Sequence, residues 1–559
     1  QLHRHKHKQT AMTTMNPPAT SHTFATASSE PAFDPSVRDR VKAMSLEEKI
    51  GQMSLAQPGE GDPVEALAPQ VRAGTIGAII NVVDASAVAE LQRIALEESP
   101  HGIPLLVGRD VIHGFQTIMP IPLGQAATWN PDIVRKAAEC AAQEASLTGV
   151  NWTYAPMMDI ARDPRWGRIA ESFGEDVWLS CEFSQAMVKG FQSDDLSAPG
   201  ALAACAKHFV GYGAAESGRD YATTNISEHE LFNVYLPPFK AAVDCGVATV
   251  MTSFSDLDGI PATAHEALIN GVLRGEWGFE GMVVSDWNSI PELCTHGVAG
   301  NDHEAAVAAT NAGVDLEMAS DTYIHHLGQA VAAGQVSEET IDLAVCRLLQ
   351  LKLELGLFKD PYPNTTLSLP NIRDKAREVA YECAKESLVL LKNAPQADKT
   401  PTLPLSAQAT ARLAVIGPLA DDGYEQLGTW IFDGDASLSV SVLEGLKACH
   451  SGEIDFVQAL ETSRSRDTAG FAKAVEAAKA ADAVVLVLGE EAILSGEAHS
   501  RAGIDLPGAQ VELVHQIKAT GKPVVAVILA GRPLTLSNII DEVDALVYAW
   551  HPGSQGGQA

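Results

Sequence analysis

The stretch Met282-Val283-Val284-Ser285-Asp286-Trp287 decides the fold: a short apolar run stops abruptly at an acid and an aromatic. A run of this length, β-branched at its centre, suits a fully buried strand better than a helix. Similar runs recur on either side, at 76–82, 105–107, 152–155, 201–206, 247–251 and 314–318. Between them lie longer amphipathic stretches with helical spacing, such as 131–148 and 177–192. Buried strands alternating with helices predict an α/β fold with a parallel sheet. About seven or eight such units between residues 36 and 358 fit a (β/α)8 TIM-like barrel with insertions better than an open sheet.

Past the barrel, Pro361, Pro363 and Pro370 mark a linker, taken as 359–386, whose second half (374–387) has a helix-like pattern. A second α/β unit follows over 387–559. Its strand candidates are 388–392, 413–416, 483–488, 524–529 and 545–548, with helix signals at 470–480 and 507–518. This pattern predicts a layered α/β sandwich. The chain stops at Gly556-Gly557-Gln558-Ala559, straight after a strand and its turn. The expectation is a sandwich truncated at its C-terminus, without a closing helix. At the other end, residues 1–35 are rich in His, Thr, Ser and Pro and lack an apolar h-region, so they read as a disordered leader rather than a signal peptide.

The 559 residues carry a net charge of −32, a pI near 4.8 and 46% apolar residues. Sizeable cores can be buried. So acidic a surface disfavours nucleic acid and anionic membranes, which require clustered Lys and Arg, and no window approaches a transmembrane span. The eight cysteines are scattered, with no C-x-x-C pair, and read as small buried hydrophobes. No metal or cofactor is called for.

In barrel enzymes the reactive groups sit at the carboxyl ends of the strands. The residues that follow the apolar runs here are Arg109-Asp110, Lys207-His208, Asp286-Trp287 and the dense segment from Asp159 to Arg168. Singly, each has a plain structural explanation. An Asp after a strand is often only the N-cap of the next helix, and Asp163 with Arg165 can simply tie a loop. Their convergence on one rim, without a phosphate-binding glycine loop, suggests a neutral polyhydroxylated ligand.

Glycoside cleavage ordinarily needs two carboxyl groups, one ionised and one protonated. Asp286 supplies a rigid one. The second unit offers others on the loop that follows the 483–488 run, namely Glu490, Glu491 and Glu497. Spacing alone leaves that loop as readily a solvated acidic surface.

At these residues the chain resembles glycoside hydrolase family 3, from about residue 36 to the end. The segment Gly278-Phe279-Glu280-Gly281-Met282-Val283-Val284-Ser285-Asp286-Trp287 resembles the family's nucleophile motif. Arg162–Arg168 with Glu171–Asp176, Lys207-His208-Phe209, Ser387–Asn393 with Leu403-Pro404-Leu405, and Ala549–Gly553 match further motifs in order. The details are most similar to bacterial periplasmic β-glucosidases and plant exo-β-glucan hydrolases.

The resemblance implies Asp286 as the nucleophile of a retaining double displacement, with Glu497 as general acid/base and Glu490 or Glu491 as alternatives. The two carboxyl groups of such an enzyme lie about 5–5.5 Å apart. Asp110, Arg168, Lys207 and His208 would hold the glycone hydroxyls, with Arg219 a further candidate on the 211–221 loop. Met251 and Trp287 would line the sugar subsite. Phe254 stands where some members have tyrosine. The implied activity is an exo-acting β-glucosidase on β-linked gluco-oligosaccharides or other β-glucosides, with a periplasmic or secreted location. A homodimer would suit it, since a partner chain can shape the rim. Were the sandwich truncated, the elements holding the Glu497 loop would be missing, and weak activity or poor stability would follow.

Four rival readings bear comparison. β-N-acetylglucosaminidases of the family carry a His after the K-H-F motif, and 210–216 has none. β-Xylosidase differs only in pocket volume near the sugar's C6 group. A non-catalytic carbohydrate-binding protein on this scaffold would lack a catalytic carboxyl, and both candidates are present. Nucleotide binding at 489–503 lacks a Walker pattern and would meet acidic residues.

Overall fold

In the computed structural model, the described residues are 32–393, 395, 400–405 and 410–559. The expected leader lies, up to residue 31, outside them. Eight strands form one all-parallel sheet: β1 (Ser54–Ala56), β2 (Ala78–Ile80), β3 (Leu106–Arg109), β4 (Trp152–Thr153), β5 (Cys205–Phe209), β6 (Thr249–Thr252), β7 (Met282–Trp287) and β8 (Leu316–Met318). Their order is β4-β3-β2-β1-β8-β7-β6-β5. Isolated parallel bridges Trp152–Ala203 and Met157–Lys207 join the two ends, so the sheet is a nearly closed barrel.

Alternation within β7 shows how the barrel is filled. Met282 and Val284 point inward with Leu55, Ile80, Leu106, Trp152 and Leu316. Val283 points outward, into the layer shared with Val134, Val188 and Leu273 of the surrounding helices. A period of two along the strand thus serves two cores at once.

Strand β1 lacks an apolar run of its own and escaped the sequence pattern. Its neighbours define it: Ser54 pairs with Glu317 and Leu55 with Ala78, and Ser54 Oγ donates to Glu317 Oε1 at 3.0 Å. Strand β5 corrects a second expectation. It begins at Cys205, not at 201, so Lys207 and His208 lie inside the strand rather than after it. Its ladder with β6 shifts register between Ala206 and Phe209, and the Lys207–His208 peptide is cis.

The proline-marked segment enters a helix at Leu369, earlier than its pattern suggests, with Pro370 in the first turn and the helix running to Ser387. The second sheet follows: β9 (Val389–Asn393), β10 (Arg412–Ile416), β11 (Glu453–Val457), β12 (Ala483–Gly489), β13 (Val524–Leu529) and β14 (Ala545–Tyr548). Its order is β9-β14-β13-β12-β10-β11, antiparallel only at β9–β14. Strand β11, absent from the sequence expectation, is a half-exposed edge strand in which Glu453 and Asp455 alternate with Ile454 and Phe456, so it has no continuous apolar run. Helices Phe471–Ala480 and Gln510–Lys518 cover one face. The fold is therefore α/β, a TIM-like barrel followed by an α/β sandwich.

Candidate active site

The mouth of the barrel is capped by loops of the second sheet, and a cavity of about 640 Å³ lies between them. Barrel residues lining it include Arg109, Asp110, Arg168, Lys207, His208, Met251, Asp286 and Trp287. The second sheet contributes Trp430, Phe432 and Glu497. Of the sugar-binding residues expected from the sequence, Arg219 alone is absent from this lining. Its side chain is exposed and faces Glu216 at 3.8 Å.

Asp286 is the penultimate residue of β7 and is buried. Its Oδ1 accepts the Trp287 backbone N–H at 2.6 Å, and its Oδ2 lies 3.6 Å from His208 Nε2. Burial pushes this carboxyl up to about 8; Arg168, Lys207 and the Trp287 N–H oppose the rise, and Glu497 adds to it. Lys207 Nζ donates to Asp110 Oδ1 at 3.0 Å. The adjacent His208 is held by Asp159, whose Oδ2 accepts the His208 backbone N–H and faces Nδ1, both at 2.9 Å.

Arg168 is buried in the 3-10 turn Gly167–Glu171. Two of its nitrogens donate to Glu171, Nε to Oε2 at 2.8 Å and Nη2 to Oε1 at 3.0 Å. The third, Nη1, reaches toward Glu497 Oε2 at 3.6 Å. A planar, permanently charged group thus sits between the two regions that carry the candidate carboxyls.

The three acids of the second-sheet loop separate cleanly. Glu491 accepts from Arg464 and Ser463, and Glu490 is enclosed by Arg501 and Arg532. Neither lines the cavity. Glu497 does, accepting from Tyr221 Oη at 2.6 Å.

The loop carrying Glu497 is tied to the barrel from several sides. Gly496 N donates to Gly167 O at 2.8 Å and Arg501 N to Arg165 O at 2.9 Å. A Cβ on Gly167 would stand 2.1 Å from Gly496 O, so this approach requires glycine. Asp220 accepts from Ala498 N at 2.7 Å, from Tyr212 Oη at 2.5 Å and from Trp166 Nε1 at 3.1 Å. Arg532 Nη1 reaches the carbonyls of Pro164 (2.8 Å) and Arg165 (3.0 Å), while Nη2 donates to Leu494 O and, at 2.9 Å, to His499 O. These supports lie within residues 164–532.

Sequence reasoning missed Tyr221, Trp430, Phe432 and the Arg109–Asp433 contact. Arg109 donates to both carboxylate oxygens of Asp433, at 2.8 and 3.1 Å, and lies over the Phe432 ring at 4.8 Å. A signal existed: Gly428-Thr429-Trp430-Ile431-Phe432-Asp433 is an aromatic-rich loop near the carboxyl end of a strand.

Two family profiles cover most of the chain. Residues 45–351 match the glycosyl hydrolase family 3 N terminal domain, and residues 388–559 the glycosyl hydrolase family 3 C-terminal domain. The chain belongs to glycoside hydrolase family 3. It is 39% identical to a periplasmic β-glucosidase of Salmonella typhimurium, over 94% of this chain and 72% of that protein. It is 35% identical to a β-xylosidase of Formosa agariphila, over 84% of this chain and 68% of the relative. Among solved structures, the β-glucosidase of Listeria innocua bound to isofagomine superposes with a TM-score of 0.88 at 37% identity, over 94% of this chain and 74% of that one. Further structures describe that β-glucosidase with glucose, and a variant of it with laminaribiose. This family 3 chain is a glycoside hydrolase of the β-glucosidase type.

Proposed function

We propose that the enzyme is an exo-acting, retaining β-glucosidase that removes terminal β-D-glucosyl residues from oligosaccharides or β-glucans. The observation that carries this reading is the meeting of Asp286 and Glu497, from two different sheets, in one cavity whose other polar walls are Asp110, Lys207, His208 and Arg168.

The Asp286 carboxylate attacks the anomeric carbon as Glu497 gives its proton to the leaving glycosidic oxygen. A glycosyl ester on Asp286 results. Glu497, now ionised, takes a proton from water; the water oxygen attacks the same carbon and expels Asp286, so the β configuration is retained. Arg168 and Lys207 favour the ionised nucleophile electrostatically. Asp110, Lys207 and His208 grip the hydroxyls of the non-reducing sugar, and with that end blocked one sugar leaves per event. Trp287 and Met251 line the sugar face. The glucose and laminaribiose complexes of the Listeria innocua protein support a β-glucoside substrate here.

A β-xylosidase is the second reading, favoured by the Formosa agariphila relative. Release of p-nitrophenol from the β-glucoside and the β-xyloside, with the product anomer followed by proton NMR, tests both. Glucoside preference with β-glucose released first is expected. A xyloside preference would replace the substrate, and initial release of the α-anomer would overturn the retaining mechanism.

A further inference from the structure

Asp159 does not line the cavity, yet its contacts give it a defined task. It lies between β4 and the helix Val177–Gln192 and is buried. One oxygen, Oδ2, meets both the backbone N–H and the Nδ1 of His208, each at 2.9 Å. The other, Oδ1, is buried and makes no hydrogen bond among the described residues. Across the imidazole, Nε2 is 3.6 Å from Asp286 Oδ2, which is likewise buried without a hydrogen bond. Tyr212 packs edge-on against the ring at 5.1 Å.

A ring nitrogen that faces an ionised carboxylate must carry a proton, because two lone pairs in opposition repel. Neutral imidazole has a single N–H, and the group at its other nitrogen chooses which. If Nδ1 holds the proton, Nε2 turns a lone pair on Asp286. One additional proton shared between Asp159 Oδ2 and Nδ1 removes the conflict. Whether it rests on the carboxyl or the ring, Nε2 keeps its N–H.

We propose that Asp159 is a positioning residue that holds this proton against His208 Nδ1, so that Nε2 presents an N–H to Asp286 and favours its ionised form. The inference rests on the reading of Asp286 as nucleophile. Burial pushes Asp159 up to about 7 and His208 down, so between these two groups the carboxyl holds the shared proton more readily than the ring. The charged groups around the pair are Arg168, Lys207 and Glu171, with Asp286 on the far side. Arg168 and Lys207 act against protonation of both partners, whereas Glu171 favours it on Asp159.

Asp159→Asn discriminates, because the oxygen at the Oδ2 position must accept the backbone N–H of residue 208. The same amide oxygen then also accepts from Nδ1–H, which leaves Nε2 bare. The expected result, with melting temperature as a check of folding, is a kcat/KM profile whose acidic limb moves up by about one pH unit, so that kcat/KM below that limb is about tenfold lower. In a His208→Gln background the same substitution should change kcat/KM less than twofold. A purely structural role would lower stability and leave the limb in place. With Asp286→Ala inert, an unmoved limb in Asp159→Asn overturns the proposal; an active Asp286→Ala overturns the nucleophile reading and this inference with it. Should Asp159→Asn not fold, imidazole 15N shifts of the wild type decide, with His208 assigned as the signal missing from His208→Gln. A protonated Nε2 is expected, and a bare Nε2 overturns the proposal.

Discussion

Arg532 and Glu490 form an ion pair, Nε to Oε1 at 3.2 Å, in which neither side chain reaches solvent. The guanidinium directs its remaining donors to five carbonyls, three from the barrel segment at 164–166 and two from the loop that holds Glu497. One buried cation therefore joins both sheets beneath a candidate catalytic acid. Removing one partner of a buried pair leaves the other's charge uncompensated. Arg532→Met should cost about 3 kcal/mol of stability, the lower end of the usual range because Arg501 also contacts Glu490. Urea unfolding checks this, and kcat should fall as well.

Asp220 links the same loop to the barrel through Ala498 N, Tyr212 and Trp166. In Asp220→Ala the fold should persist while Glu497 loses its fixed position. The expected loss in kcat is about 10²-fold on alkyl glucosides, which need protonation of the leaving oxygen, and much less on p-nitrophenyl glucoside. Equal losses on both would show that Asp220 does not act through the acid.

Arg109 and Asp433 clasp across the rim, with Phe432 beside them. Asp433→Ala should loosen that wall and weaken ground-state binding. KM for disaccharides should rise about tenfold, about 1.4 kcal/mol, with kcat within twofold. Steady-state kinetics on laminaribiose and cellobiose would reveal a fall in kcat instead, should the clasp act on the chemical step.

The pH dependence has a defined sign. Asp286 is raised by burial and lowered by Arg168 and Lys207. Activity that requires the ionised carboxylate is lost as pH falls through its pKa, so the acidic limb of kcat/KM should stand well above the ordinary carboxylate range. Lys207→Met removes a cation, disfavours the carboxylate and should move that limb further up. A limb that stays in place, or moves down, would contradict this electrostatic account.

The barrel was legible because buried parallel strands are written as continuous apolar runs, and 282–285 or 247–251 need no partner to be recognised. Strand β1 was not legible, since Ser54-Leu55-Ala56 owes its conformation to Glu317 and Ala78 on its neighbours. Asp286 and Lys207-His208 stood out by following or ending such runs. Choosing among Glu490, Glu491 and Glu497 was beyond local pattern, because it turns on where Arg464, Arg501, Arg532 and Tyr221 lie in space. For the same reason the 211–221 loop drew attention to Arg219, whereas the residues of that loop that reach Glu497 and its neighbour Ala498 are Tyr221 and Asp220. Loops lack periodicity, so side-chain direction within them is set by tertiary contacts.

The most direct test of the account is to trap the glycosyl enzyme with an activated 2-deoxy-2-fluoro-β-glucoside, whose fluorine slows both steps and whose good leaving group spares the first. Peptide mass spectrometry of the inactivated protein should locate one glycosyl ester, on Asp286, and Asp286→Ala should take up none. A label on another carboxylate, or steady turnover without any covalent adduct, would contradict Asp286 as the nucleophile.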